Sequence, residues 1–140
     1  MPFFKKNKEE TGSVSKRKWQ ITKRCLRLIL ESAKSTYPKE FGGLLRVDET
    51  TKKTIIEVVL LPGTISGNSH AIFQLHMMPI DFSVVGTVHS HPSGMPLPSE
   101  ADLELFRKHG RVHIIVATPY TKTSWRAYDY NGSAIEMSVI

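Results

Sequence analysis

The stretch from Gly86 to Asp102, G-T-V-H-S-H-P-S-G-M-P-L-P-S-E-A-D, decides how the rest of the chain is read. Val84, Val85 and Val88 mark the run leading into it as a short apolar strand. His89 and His91 stand at the end of that strand, two positions apart. In a strand, residues i and i+2 share a face and lie roughly 6.8 Å apart along the chain, so two imidazoles there can converge on one ion. Pro92, Pro96 and Pro98 then exclude regular structure and stiffen a loop. Ser99 is placed to cap a helix that starts at Glu100, and Asp102 falls in the first turn of that helix.

Each part has an ordinary reading by itself. Ser-x-x-Asp is a common helix-cap spacing, and an isolated His-x-His is more often a structural pair than a ligand pair. Together, two imidazoles and one carboxylate form a known catalytic zinc set that leaves a fourth position for water. Asp102 follows His91 by eleven residues, enough for the loop to fold back and bring the helix start beside the strand end.

The joint pattern, H-S-H followed by seven residues, S, two residues and D, resembles the signature of the JAMM (MPN-plus) zinc metalloproteases. That family also places a glutamate before a Gly-rich strand start. Pro38-Lys39-Glu40-Phe41-Gly42-Gly43-Leu44-Leu45 fits that place, with no departure at any signature position. The resemblance runs from about Ile21 to the C-terminus, and the length is similar to that of compact, single-domain archaeal members. It implies one Zn2+ on His89, His91 and Asp102, with Glu40 as general base and the Ser99 hydroxyl stabilising an oxyanion. On residues alone, Glu40 would read as a solvent-exposed charge after Pro38. The implied substrate is a ubiquitin-like modifier joined through its C-terminal glycines to a lysine of another protein. The implied fold is a mixed β-sheet layered with helices, of the cytidine-deaminase-like type.

Composition sets the outer bounds. A chain of 140 residues suits one domain with a real apolar core. No run of about eighteen apolar residues occurs, and the N-terminus lacks a signal peptide's apolar segment, so the expected location is the cytoplasm. Cys25 is the single cysteine, which excludes an internal disulfide and a Cys-rich metal site; packing is its expected role. The net charge of +6 suggests nucleic acid until it is located. Residues 1–34 hold ten Lys or Arg against Glu9, Glu10 and Glu31, whereas residues 35–140 hold nine basic and ten acidic groups. The excess therefore belongs to a basic tail and the outer face of one helix, read here as solvated rather than as a binding site. Few aromatics interleave with those charges, which argues against a base-stacking platform.

Along the chain, residues 1–17 are polar and read as a disordered tail, and residues 18–140 as the metalloprotease domain. Lys18 to Ile21 suits a first strand. Thr22 suits the cap of a helix with Cys25, Leu28, Ile29, Ser32 and Ala33 on its apolar stripe, widened by Leu26 and Leu30 and closed by Pro38. Strands are expected over Phe41–Val47, Thr54–Leu61, Ser69–Leu75 and Arg111–Thr118, with an irregular segment around Pro79 and a helix over Glu100–His109. Ser124–Tyr130 and Ala134–Val139 read as a closing hairpin around Asn131-Gly132. The total is a mixed α/β sandwich.

Other zinc chemistries fail on composition: there is no H-E-x-x-H, and one cysteine cannot supply the C-x-x-C of a nucleic-acid deaminase. Ser90, between the ligands, points to the opposite face and is expected to make structural hydrogen bonds. His70, His76, His109 and His113 receive no ligand role. The expected function is a zinc-dependent isopeptidase releasing a ubiquitin-like modifier. The alternatives are a non-catalytic scaffold of the same fold and a nucleic-acid-associated protein using the basic N-terminus.

Overall fold

The computed structural model describes residues 18–61 and 81–140. The expectations of a tail over 1–17, a strand over 69–75 and an irregular segment around Pro79, together with the placing of His70 and His76, lie outside the described residues.

Strand β1 (Trp19–Ile21) leads into helix α1 (Lys23–Thr36). The Thr22 hydroxyl caps α1 by accepting from the Cys25 N–H at 3.1 Å. The helix buries Cys25, Leu26, Ile29, Leu30 and Ala33, and it stops before Pro38, whose ring disfavours helical geometry in the preceding residue. Leu28, expected on the buried stripe, is 47% exposed. At 3.6 residues per turn it lies roughly 130° from the centre of the buried face, so a list of apolar positions overestimated the stripe. Lys23, Arg24, Arg27 and Lys34 are exposed as expected.

Strands β2 (Gly42–Val47) and β3 (Thr54–Leu60) form a hairpin over a polar turn. Strand β4 (Val84–His91), helix α2 (Glu100–Lys108) and strand β5 (Val112–Ala117) form a parallel β-α-β crossover. Strands β6 (Trp125–Asp129), β7 (Ala134–Ile135) and β8 (Met137–Val139) complete an eight-stranded mixed sheet in the order β7-β6-β5-β4-β2-β3-β1-β8. The closing hairpin is half of what was expected. Ala134–Ile135 return against β6, but Met137–Val139 leave it and pair in parallel with β1 at the opposite end of the order. Only Glu136 separates β7 from β8, so the sheet curls until one C-terminal segment reaches both of its edges. Ile135 and Met137 pack on the core cluster from that segment, and β1 gains a partner instead of an open edge.

The main core lies between α1 and the curled sheet: Ile21, Ile29, Leu45, Ile55, Val88, Ile114 and Val116 are fully buried or nearly so. On the other face α2 sets Phe106 against Ile115 and Tyr128, and Leu105 against Leu44 and Leu61. All six residues of β5 are buried, as a central strand covered on both sides must be.

Two close approaches fix β4 against β5. A Cβ on Gly86 would land on the Val112 carbonyl, and one on Gly110, which has φ +122°, would meet the Val85 carbonyl. Both obstacles are backbone and cannot swing away. Gly86→Ala is therefore expected to lower stability by ~3 kcal/mol or more, read as the chemical-denaturation midpoint. A midpoint near wild type would show that β4 and β5 have room to part.

His113 is fully buried on β5. Its Nε2 lies 3.2 Å from the Phe106 carbonyl and 3.0 Å from that of Gly110, so it donates; Nδ1 then accepts from the Thr87 hydroxyl at 2.7 Å. The ring also stacks on Phe106, with centroids 4.3 Å apart. Burial pushes its pKa down to about 4, against the two carbonyl hydrogen bonds and with the fields of His89 and His109 adding to the drop. In the unfolded chain the ring titrates near ~6.5. The stability it contributes is thus complete above ~pH 6.5 and is lost as pH falls towards 4, by on the order of 3 kcal/mol. Unfolding measured across that window on wild type and His113→Phe should give a steeper loss in wild type; equal slopes would remove His113 as the cause.

Candidate metal centre

Three pieces of chain meet at the carboxyl end of β4. Along β4, Thr87, His89 and His91 share the face turned towards α2, and Val88 and Ser90 share the face turned to the core. Strand β2 runs antiparallel to β4 with Gly42 opposite His89. Continued two residues back, that register sets Phe41 opposite Ser90 and Glu40 opposite His91. The crossover to β5 then brings the first turn of α2 over the strand end. Ser99 caps α2 by accepting from the Asp102 N–H at 3.1 Å, and the Asp102 carboxylate accepts from the Ser99 N–H at 2.9 Å, a reciprocal capping box.

The two imidazoles and the carboxylate converge on one point. His89 Nε2 and His91 Nε2 are 3.2 Å apart, His91 Nε2 is 3.2 Å from Asp102 Oδ2, and His89 Nε2 is 3.1 Å from Asp102 Oδ1. Among the described residues this is the group of His, Cys, Asp or Glu side chains close enough to hold an ion. The donor set fits zinc. Ligand bonds of ~2.0–2.1 Å in a tetrahedron imply ligand-to-ligand edges of about 3.3 Å. His91 Nδ1 lies 3.2 Å from the Met95 carbonyl, where it donates and so leaves Nε2 as the nitrogen with a free lone pair. His89 Nδ1 is buried with no partner among the described residues.

The electrostatics are those of a ligand set sharing one charge. Burial pushes Asp102 up, but hydrogen bonds from His89 and His91, the His89 charge and the Ser99 N–H together hold it well below the ordinary carboxylate range. Its place in the first turn of α2 adds the favourable helix dipole. The hydrogen bond to Asp102 raises His91, against the cost of its burial. Glu40 is half-buried, and burial raises its carboxyl against the pull of His89 and His91 and with the repulsion of Asp102. The register of β2 against β4 sets Glu40 across from His91, on the ligand side of the sheet.

Of the residues singled out from the sequence, His89, His91 and Asp102 converge, Ser99 holds the carboxylate, and the strand register sets Glu40 opposite His91. Ser90 turns away and accepts from the Phe41 N–H at 2.9 Å. His109 terminates α2 and His113 lies in the core, so neither joins the set. Sequence reasoning missed the supports of the 92–98 loop. Thr118 donates its hydroxyl to the Pro92 carbonyl at 3.1 Å, and the Tyr128 hydroxyl donates to the Pro96 carbonyl at 2.6 Å. Thr118 follows β5 and Tyr128 lies in β6, both far along the chain, and no spacing rule marks them.

His89→Ala and Asp102→Ala each delete one of the three side chains that could hold the ion, so metal analysis should find zinc reduced to a small fraction of the wild-type content in both. Zinc affinity should also fall as pH is lowered through the raised pKa of His91, because proton and ion compete for the same nitrogen. Full zinc content in either variant would remove that residue as a ligand.

Comparison with known proteins identifies the family. Residues 22–128 match the family model for prokaryotic homologues of the JAB domain. A probable metalloprotease of Haloferax volcanii is 37% identical over 123 residues, covering 83% of this chain and 76% of that protein. The crystal structure of a JAB1/MPN domain protein from Archaeoglobus fulgidus superposes with a TM-score of 0.71 at 36% identity, over 89% of this chain and 99% of that one. A solved chain described as JAMM, a metalloprotease-like zinc site in the proteasome and signalosome, matches with a TM-score of 0.69 at 36% identity, over 88% and 98% of the two chains. A protein from Desulfitobacterium hafniense, at 19% identity and a TM-score of 0.58, shares the fold. The chain belongs to the family of prokaryotic homologues of the JAB domain and is a compact JAMM/MPN metallopeptidase of mixed α/β fold.

Proposed function

We propose that the protein is a zinc-dependent isopeptidase that releases a ubiquitin-like modifier from conjugated proteins by hydrolysis at its C-terminal glycine. The observation that carries the reading is the convergence of His89, His91 and Asp102 on one point, with the strand register setting Glu40 opposite His91. When bound, zinc lowers the pKa of a coordinated water towards ~7 and polarises the carbonyl under attack.

The chain's own residues supply the rest. Glu40 takes the proton of the attacking water and delivers it to the leaving lysine amine. Its raised carboxyl pKa brings it closer to the range in which a shuttle both accepts and gives. Ser99 uses a lone pair to cap Asp102, which leaves its O–H free to donate to the developing oxyanion. Met95 and Leu97 are exposed on the loop between the ligands and form an apolar rim for the extended Gly-rich tail. An extended Gly-rich tail can add as a strand beside the sheet and bring its last carbonyl to the metal residues.

The reading places the reaction in the cytoplasm; no helix among the described residues is long and apolar enough to cross a membrane. A non-catalytic scaffold would have no use for Glu40 at this position. The exposed basic side chains of α1 lie on the face opposite its buried stripe.

The test is paired. Purified protein is incubated with native conjugates, with and without a chelator, and the released modifier is identified. Wild type should release it only without chelator. Glu40→Gln should keep its zinc and lose roughly 10²–10⁴-fold in turnover, the usual worth of general acid–base catalysis. Ser99→Ala should keep zinc and lose up to ~10²–10³-fold in kcat. Release by Glu40→Gln at the wild-type rate would remove Glu40 as the base, and no release by wild type would contradict the isopeptidase reading.

A further inference from the structure

Ser90 stands between the two histidine ligands and faces the other way. It is fully buried, and its side chain serves the other strand of the pair. The Ser90 N–H donates to the Phe41 carbonyl at 3.1 Å, and the Phe41 N–H donates to Ser90 Oγ at 2.9 Å. In a regular antiparallel ladder the second bond would go to a backbone carbonyl. Here a side chain takes it, at the point where β2 leaves the ladder and the residue before Phe41 is Glu40. Two bonds from one serine therefore clamp the peptide that carries the carboxylate. The same residue is covalently fixed between His89 and His91. The Tyr120 hydroxyl is also buried and has no hydrogen-bond partner among the described residues.

We propose that Ser90 is a positioning residue for catalysis: its hydroxyl, by holding the Phe41 amide, sets Glu40 at its distance from the metal ligands. This rests on the reading of Glu40 as the base. The His-Ser-His tripeptide then does two tasks at once, ligands on one face and base alignment on the other. A side-chain acceptor allows Phe41 to sit off the ladder line, which a backbone carbonyl would not. A general base must sit within hydrogen-bond reach of its proton, and a misplacement near 1 Å costs on the order of 10²-fold.

The experiment uses Ser90→Ala, with Ser90→Cys carrying the same test where the alanine variant yields too little folded protein. Cysteine keeps the volume but replaces a strong acceptor with a weak one. The first readout needs neither metal nor substrate: amide hydrogen exchange at Phe41 in the zinc-free protein. It should speed up by on the order of tenfold or more, with the β4–β5 ladder unchanged. The second is a double-substitution cycle with Glu40→Gln, using a fluorogenic peptide ending in Gly-Gly-aminocoumarin and, in parallel, native conjugates. Ser90→Ala alone should keep its zinc and a KM within about twofold of wild type, while kcat falls by ~10- to 10²-fold. In the Glu40→Gln background the same change should cost nothing further, because the group it positions is gone. Unchanged exchange at Phe41, lost zinc, or a kcat loss that persists in full beside Glu40→Gln would overturn the proposal. A Glu40→Gln variant as active as wild type would instead overturn the general-base reading, and the exchange arm would still report whether Ser90 holds Phe41.

Discussion

The centre depends on one pairing register. With Gly42 opposite His89, residues 40 and 91 fall on one face of the sheet, and residues 41 and 90 on the other. A slip of one residue would turn Glu40 into the core and Phe41 onto the ligands, since side chains alternate with period two. The register has no slack. Leu45 and Val88 are fully buried and Phe41 is 4% exposed, all in the core cluster, and Gly43 comes so near β3 that a Cβ would sit 2.8 Å from Val58 Cγ2. Packing on the core side thus fixes chemistry on the other side.

Asp102 shows how stability and chemistry share one side chain. Its carboxylate accepts the Ser99 N–H that opens α2, and the same oxygens face both imidazoles. The capping box orients the carboxylate before any ion arrives. Hydrogen bonds from the Thr118 and Tyr128 hydroxyls to the loop carbonyls tie the link between the strand end and the helix start to the sheet. The ligands are therefore organised by the fold, and binding energy is not spent on ordering them. The half-burial of the site serves the same end, because carboxylate and imidazole interact more strongly there than in open water.

Much of this was legible in the residues. The alternation of His89, Ser90 and His91, the proline-stiffened loop and the Ser99 cap are local patterns, and each rests on a short-range rule. The resemblance to a known signature extended them to Glu40, whose place no local rule reveals: it falls opposite His91, fifty-one positions away, only through the sheet register. The same limit explains the other gaps. Asn131-Gly132 announces a turn, but nothing local says that the returning strand ends at Ile135 and that Met137 crosses to β1. Leu28 has the right residue type and the wrong angle on the helix. Thr118, just after β5, and Tyr128, in β6, support the loop from positions that follow from the whole topology.

The central claim is that zinc is held by two imidazoles and one carboxylate at the end of β4, with the remaining position open to water. Zinc-edge X-ray absorption on the zinc-loaded protein reads that ligand set directly. The account predicts four nitrogen or oxygen neighbours at ~2.0–2.1 Å, with the outer-shell scattering of two imidazole rings. A sulfur neighbour, a third imidazole or a closed set of four protein ligands would contradict it.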